Sequence, residues 1–160
     1  MKKLIILLLI LSFNSYGMTA SQAAKTAVKM SSSYIPYTDG NKTITEMYSV
    51  NESIVHKVVF NKVGKKLINN YRKSFGVDNA KLFIELQSKS QGMSAAADMC
   101  ISDGGFKEAL DLGVYMIYRY YDNDLNLLYQ YGFNKKVCPS IERDYRAINR
   151  EIDKMWDSRN

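Results

Sequence analysis

The stretch of residues 125–133 constrains the fold more than any other part of the sequence. Apolar and aromatic side chains stand at every second position there, which is the period of a β-strand with one buried face. A second run rich in β-branched and aromatic residues, 114–121, precedes it, and Asp122-Asn123-Asp124 between the two is typical of a turn. The pattern predicts a β-hairpin over about residues 113–137.

A second hairpin is predicted nearer the N-terminus, over about residues 43–61. The runs 43–50 and 54–60 are rich in Thr, Val, Ile, Tyr and Phe, and Asn51-Glu52 lies between them. Two hairpins of this kind can join in one antiparallel sheet. Helical periods occupy the rest of the chain, so the predicted fold class is α+β, with helices packed on a face of the sheet.

Five helical segments follow from periodicity and composition. The Ala-rich segment 19–30 predicts a short peripheral helix, and a helix from Asp78 is expected to break or kink at Gly92 before residues 93–101. Asp103-Gly104-Gly105 predicts a turn before one or two helical turns in 106–112. Two amphipathic helices complete the set. The stripe of the first is Val63, Leu67, Tyr71 and Phe75, and that of the C-terminal one is Ile141, Tyr145, Ile148, Ile152, Met155 and Trp156.

The first seventeen residues have the three-part layout of a secretory signal peptide. Lys2 and Lys3 precede an aliphatic run over residues 4–11, and small residues stand at the positions required for cleavage after Gly17. The apolar core of about ten residues is too short to span a bilayer comfortably. We therefore expect a signal peptide at 1–17 and a single exported domain at 18–160. Its destination would be the periplasm or the medium, with no stable membrane insertion after cleavage.

Export determines how the two cysteines are interpreted. Cys100 and Cys138 are the only pair, and an even number of cysteines in an oxidising compartment predicts one structural disulfide. A thioredoxin-like redox role would need the CxxC spacing, which is absent. Two cysteines and one histidine also cannot form a tetrahedral Cys/His zinc site or an iron–sulfur cluster within one chain. No metal and no cofactor are predicted.

The spacing around these cysteines resembles that of small exported bacterial proteins. Cys100 is followed after twelve residues by Gly113-Val114, then by Tyr118-x-Tyr120-x-Asp122, a returning strand and Cys138. In proteins of that pattern a helix carrying one cysteine precedes a hairpin that ends at the second. The resemblance covers about a quarter of the chain, and it implies the disulfide and the fold rather than an activity.

No catalytic site is predicted. His56 is the only imidazole, it lies mid-strand without a Gly-x-Ser-x-Gly motif nearby, and we interpret it as a hairpin residue facing solvent or a sheet edge. A cell-wall-active hydrolase using two carboxylates is the enzymatic alternative, with Glu46 or Glu52 paired with Asp98 or Glu85. Such a pair is defined in space, and carboxylates at these positions are more often surface groups.

The positive charge is concentrated in one region. The chain carries 22 basic and 16 acidic residues, and residues 53–77 contain six of the basic ones and no acid. Outside the cytoplasm the anionic candidates are an acidic protein, lipid phosphates or the cell wall, and nucleic acid is not expected. A solvated helix face is the ordinary interpretation. The candidate partner-binding cations are Lys62, Lys65, Lys66, Arg72 and Lys73.

Tyrosines form the second candidate surface. Six of them lie between positions 115 and 131, and tyrosines on a sheet can anchor a protein interface or stack on sugars, although strands also favour them for packing. The candidates are Tyr118, Tyr120, Tyr129 and Tyr131. The function hypothesis is a non-enzymatic exported protein that binds another protein, with an acidic protein as one candidate. It would be an accessory factor of an envelope or secretion assembly, or an inhibitor or immunity factor.

Overall fold

The computed structural model describes residues 17–101 and 105–158. The predicted signal segment (apart from Gly17) and the predicted turn at Asp103 and Gly104 lie outside the described residues, so both stay predictions.

The described residues form a five-stranded sheet with helices on one face. The strands follow one another in space in the order of the sequence: β1 (Tyr37–Asp39), β2 (Lys42–Val50), β3 (Ser53–Phe60), β4 (Tyr115–Tyr121) and β5 (Leu127–Phe133). The helices are α1 (Ala20–Ser31), α2 (Lys62–Phe75), α3 (Val77–Ile101), α4 (Gly105–Asp111) and α5 (Ile141–Asp157), and short 3-10 turns cover Ser32–Tyr34 and Lys135–Val137. The predicted α+β class, with a C-terminal helix, is confirmed.

Both predicted hairpins are present, but they join in a way that the sequence pattern did not show. Strands β2 and β3, and likewise β4 and β5, pair antiparallel, whereas β3 and β4 pair parallel. The chain leaves the end of β3, passes through α2, α3 and α4, and returns to the start of β4. A crossover through helices is what a parallel neighbour requires. The sheet is therefore mostly antiparallel with a parallel centre.

The N-terminal helix is part of the core rather than peripheral. Thr19 caps it through a reciprocal pair of hydrogen bonds: the hydroxyl of Thr19 accepts from the backbone N–H of Gln22, and the Gln22 side chain accepts from that of Thr19. Ala23 and Ala24 are fully buried where α1 packs on β2, β3 and α4. Small side chains let this helix approach the sheet closely, and this is why an Ala-rich segment became a core element.

Helix α3 runs unbroken through Gly92, where a break or kink was predicted. A Cβ atom at Gly92 would lie 2.5 Å from Cδ1 of Tyr131, so the glycine lets the helix pack directly on the Tyr131 ring of β5. Its role is close packing of helix on strand, which a sequence pattern cannot distinguish from helix breaking.

The disulfide and the C-terminal helix form as predicted. The Cα atoms of Cys100 and Cys138 are 5.6 Å apart in the bridge, which ties the end of α3 to the chain just after β5. Helix α5 packs on α3 with Ile148 and Ile152 buried, and the Ser90 hydroxyl donates to Oδ1 of Asn149 across this contact at 2.8 Å. No helix among residues 17–101 and 105–158 is long and apolar enough to cross a lipid bilayer.

Candidate partner-binding surfaces

Helix α2 presents the predicted basic surface. The Asn61 side chain caps it by accepting hydrogen bonds from the backbone N–H groups of Val63 and Gly64. The buried positions on α2 are Gly64 and Ile68, while Val63 is 61% exposed, so the prediction that Val63 belongs to the apolar stripe was wrong. In the first half of α2 the buried stripe is displaced by one residue, to Gly64 and Ile68. Tyr71 and Phe75 pack against the core, as predicted.

The five candidate cations all point into solvent. None of them forms an ion pair within the part of the chain that the structure describes, and the first turn of α2 contains no acid. We call this set the basic face of α2; it consists of Lys62, Lys65, Lys66, Arg72 and Lys73. The charges of its four lysines are therefore not neutralised by ion pairs with described residues, whereas Arg72 interacts electrostatically with the carboxylate of Asp122. Binding of a partner by these residues stays a prediction.

A small apolar cavity adjoins the basic face. It has a volume of about 180 Å³ and lies where the start of α3 meets the beginning of β5, with cationic side chains on its wall. The lining residues are Arg72, Val77, Lys81, Ile84, Leu127 and Leu128. Val77 and Leu127 are largely exposed. The cavity can accommodate an apolar side chain next to an acidic group.

The four candidate tyrosines lie on the face of the sheet that the helices cover. Tyr118 is 7% exposed and Tyr120 is 4% exposed, while Tyr129 and Tyr131 are half-buried and pack against the same core. Burial raises the pKa of the Tyr131 phenol to about 12 and those of Tyr118 and Tyr120 further. The rings of Tyr118 and Tyr120 contribute to packing, and a partner docking on the folded surface cannot reach them.

None of the helices in residues 17–101 and 105–158 packs on the opposite face of the sheet. All helices that contact the sheet pack on the side of Ile54, His56 and Val58. Alternate residues of each strand form the other side, which we call the open face. It consists of Glu46 and Tyr48 of β2, Val55, Lys57 and Val59 of β3, Tyr115, Ile117, Arg119 and Tyr121 of β4, and Gln130 and Gly132 of β5.

Arg119 lies near the middle of the open face and is held by neutral groups. Its Nε donates to Oε1 of Gln130 at 2.9 Å, and its Nη1 donates to the hydroxyl of Tyr48 at 3.0 Å. Its neighbour Lys57 forms an ion pair with Glu46 at 3.0 Å. Arg119 has no carboxylate partner among the described residues, so it is the uncompensated charge of this face.

Aromatic rings surround these charges. The ring of Tyr115 lies over Gly132, because a Cβ at that position would be 2.6 Å from Cε1 of Tyr115, and Tyr115 remains 38% exposed. The ammonium of Lys57 lies 5.8 Å from the centre of the Tyr121 ring. The period of two in the sequence shows which tyrosines share a face of the sheet, but it does not show which face the helices cover.

His56 is enclosed in the core, which corrects the expectation of a solvent-facing or edge residue. It is 2% exposed, and its ring stacks on that of Tyr118 with centroids 4.5 Å apart. Burial lowers the pKa of the imidazole to about 4, and a hydrogen bond with the Ile117 backbone offsets this only in part. Its Nδ1 has no hydrogen-bond partner within the described residues. Beta-strand β3 is central in the sheet, so a mid-strand position on the covered face is necessarily buried.

Lys42 is a second cation on the covered face. Its ammonium lies 4.9 Å from the centre of the Phe60 ring and 5.3 Å from that of Tyr120. Burial lowers the pKa of this amine to about 8, although the nearby Asp39 charge acts in the opposite direction. Lys42 is therefore part of the interior and not of a surface that attracts an anionic partner.

Glu46 does not come together with Asp98 or Glu85 as a catalytic pair. Glu46 stands on the open face, whereas Asp98 and Glu85 belong to α3 on the covered side, so the sheet separates them. Glu52 lies exposed in the turn between β2 and β3. Within residues 17–101 and 105–158, no group of three or more His, Cys, Asp and Glu side chains is placed to hold a metal ion.

Comparison with known proteins identifies relatives of the fold only. No protein-family model and no curated protein matches the sequence. A protein of Pseudomonas aeruginosa assigned as secreted has a TM-score of 0.54 at 12% identity, over 74% of this chain and 92% of that one. The type II secretion system pilotin AspS of Vibrio cholerae has a TM-score of 0.51 at 16% identity, over 74% and 92% of the two chains.

A third similar structure is EpsS, a pilotin from the type 2 secretion system of Vibrio vulnificus. Its TM-score is 0.51 at 12% identity, over 74% of this chain and 91% of that one. Each alignment includes nearly the whole of the other chain and about three quarters of this one, so the common fold extends over most of this chain. Identities this low establish a common fold and leave function to be argued from surfaces.

Proposed function

We propose that this protein is a non-enzymatic exported factor that binds another protein, as an accessory of a secretion assembly. The observation that carries the proposal is the unpaired basic face of α2 on a domain that has the fold of two secretion pilotins. AspS and EpsS are pilotins of type II secretion systems, and the sequence also predicts an exported binding protein.

The surfaces support binding rather than catalysis. His56 is enclosed and has a lowered pKa, and the sheet separates Glu46 from the carboxylates of α3. The basic face of α2 is exposed and adjoins an apolar cavity. Exposed cations without internal partners accelerate encounter with an acidic protein, and an adjacent apolar cavity can hold one of its side chains.

Association kinetics test the proposal. The partner is first identified by recovering the tagged protein from native envelope extracts, and is then purified. Changing Lys65, Lys66 and Lys73 to Glu should leave the fold intact but slow association by about tenfold or more at low salt, and added salt should reduce the difference.

A matched control makes the same change in net charge elsewhere. Reversal of Lys29, Arg150 and Lys154 alters three exposed cations on α1 and α5. If both triple variants associate at the wild-type rate, the basic face of α2 is only a solvated helix surface. If the purified protein lowers the turbidity of isolated cell walls and Glu46→Gln or Asp98→Asn removes this activity, the protein is a hydrolase and the proposal is wrong.

A further inference from the structure

We propose that the open face of the sheet is a docking surface for an acidic segment of a partner protein, with a partner carboxylate bound by Arg119. This surface is distinct from the basic face of α2, since the open face lies on the side of the sheet away from the helices. The proposal rests on the proposed function in one respect, namely that the protein binds another protein.

Arg119 has the properties of a preorganised carboxylate site. A guanidinium has five N–H donors in a fixed plane. Nε and Nη1 of Arg119 are each engaged by a neutral oxygen, from Gln130 and Tyr48 respectively. These bonds fix the orientation of the plane without neutralising its charge. The other N–H groups can then receive a carboxylate at little additional entropic cost.

The surroundings of Arg119 resemble the centre of a protein interface. Tyr48, Tyr115 and Tyr121 provide aromatic surface, and the ring of Tyr115 is fixed by its position over Gly132. Tyr and Arg are the residue types most enriched where interfaces are energetically important. Val55 and Ile117 supply the apolar floor between the rings.

Charge selects an acidic partner over a second copy of this chain. Glu46 is already paired with Lys57, so the open face has a surplus of positive charge at Arg119. Two copies meeting through this face would bring surplus positive charges together, which is unfavourable in a desolvated contact. A neutral sugar would stack on the tyrosines but would leave the guanidinium without a counter-charge.

Photo-crosslinking in the cells of origin tests the docking surface. The probe is p-benzoylphenylalanine placed at Tyr121 on the open face and, in separate variants, at the exposed Asn69 of α2. We expect the Tyr121 probe to form a crosslink with a protein segment that contains Asp or Glu. In the chain with this probe, Arg119→Gln should lower the crosslink yield roughly tenfold, because a charged hydrogen-bonded pair is lost.

Three controls make the result specific. Arg150→Gln removes the same charge from exposed α5 and should leave the yield unchanged. Arg119→Glu should abolish binding of the purified partner, and changing the crosslinked carboxylate of that partner to Arg should restore it. Thermal unfolding of both Arg119 variants should remain near that of the wild type.

The outcomes distinguish this inference from the proposed function. Crosslinks from Asn69 but none from Tyr121 would overturn the docking surface and leave the protein-binding role in place. Crosslinks from Tyr121 only to cell-wall material or to a second copy, or a yield that Arg119→Gln does not change, would also overturn it. The proposed function itself would be contradicted if neither probe crosslinks to a protein and no protein is recovered from the envelope extracts.

Discussion

The two faces of the sheet are built from the same strands and have opposite roles. On β4, Tyr118 and Tyr120 face the helices and stack within a core that also includes His56 and Phe133. Their neighbours in sequence, Arg119 and Tyr121, face away: Arg119 donates hydrogen bonds to Gln130 of β5 and Tyr48 of β2, and the Tyr121 ring lies beside the ammonium of Lys57 on β3. In a sheet covered on one side, the residue type alone does not show whether a side chain belongs to the core. Its position along the strand, odd or even, and the side on which the helices lie decide this.

The largest difference between the faces should appear in stability. Phe133 is fully buried on the covered face, and Phe133→Ala should lower the free energy of unfolding by about 3–5 kcal/mol through lost burial and a cavity. Tyr121→Ala, which shortens an aromatic residue of the open face, should cost about 1 kcal/mol or less. Urea unfolding of the two variants measures both. Equal losses would mean that the open face is packed against something as a core is.

The disulfide fixes the covered side, and its removal should have the next largest effect. Cys100→Ser should lower the free energy of unfolding by about 2–5 kcal/mol, because the bridge closes a loop with a sequence separation of 38 residues. The double variant with Cys138→Ser should lose about the same amount, since one substitution already removes the bridge. Labelling of denatured, non-reduced protein should find no free thiol. Two labelled cysteines per chain would contradict the bridge.

Acid should destabilise the protein through His56 on the covered face. The folded imidazole has a pKa of about 4 against an ordinary value of 6.5, so below pH 6.5 the unfolded chain binds a proton that the folded chain does not bind. Stability therefore falls as the pH is lowered from 6.5 to 4, by about 3 kcal/mol from this group. His56→Phe keeps a ring against Tyr118 and should remove this part of the loss. A variant whose pH profile matches the wild type would show that His56 is already solvated.

Much of the fold could be predicted because the relevant signals are local. The strands of both hairpins, the apolar stripe of α5 and the Cys100–Cys138 pairing depend on periodicity, turn residues and compartment. The parallel contact between β3 and β4 was not predictable in this way. It depends on how three helices pack, which is a long-range property.

The two candidate surfaces also differ in how far local sequence signals predict them. The exposure of the cations on α2 followed from the helical period, apart from the one-residue displacement of the stripe. The open face was missed because the hairpin pattern is symmetrical between its two faces. Gln130 gave a signal in retrospect, since a polar residue alternating with Tyr129 and Tyr131 marks the side that is not covered.

Hydroxyl-radical footprinting of the tyrosines tests the central claim, that one face of the sheet is core and the other binds a partner. In the free protein, Tyr115 and Tyr121 should be oxidised readily, while Tyr118 and Tyr120 should be almost unmodified. Addition of the purified partner that crosslinking identified should protect Tyr115 and Tyr121 from oxidation and leave the oxidation of Tyr118 and Tyr120 unchanged. Oxidation of Tyr118 at the rate of Tyr121 in the free protein, or no protection of Tyr121 at saturating partner, would contradict the account.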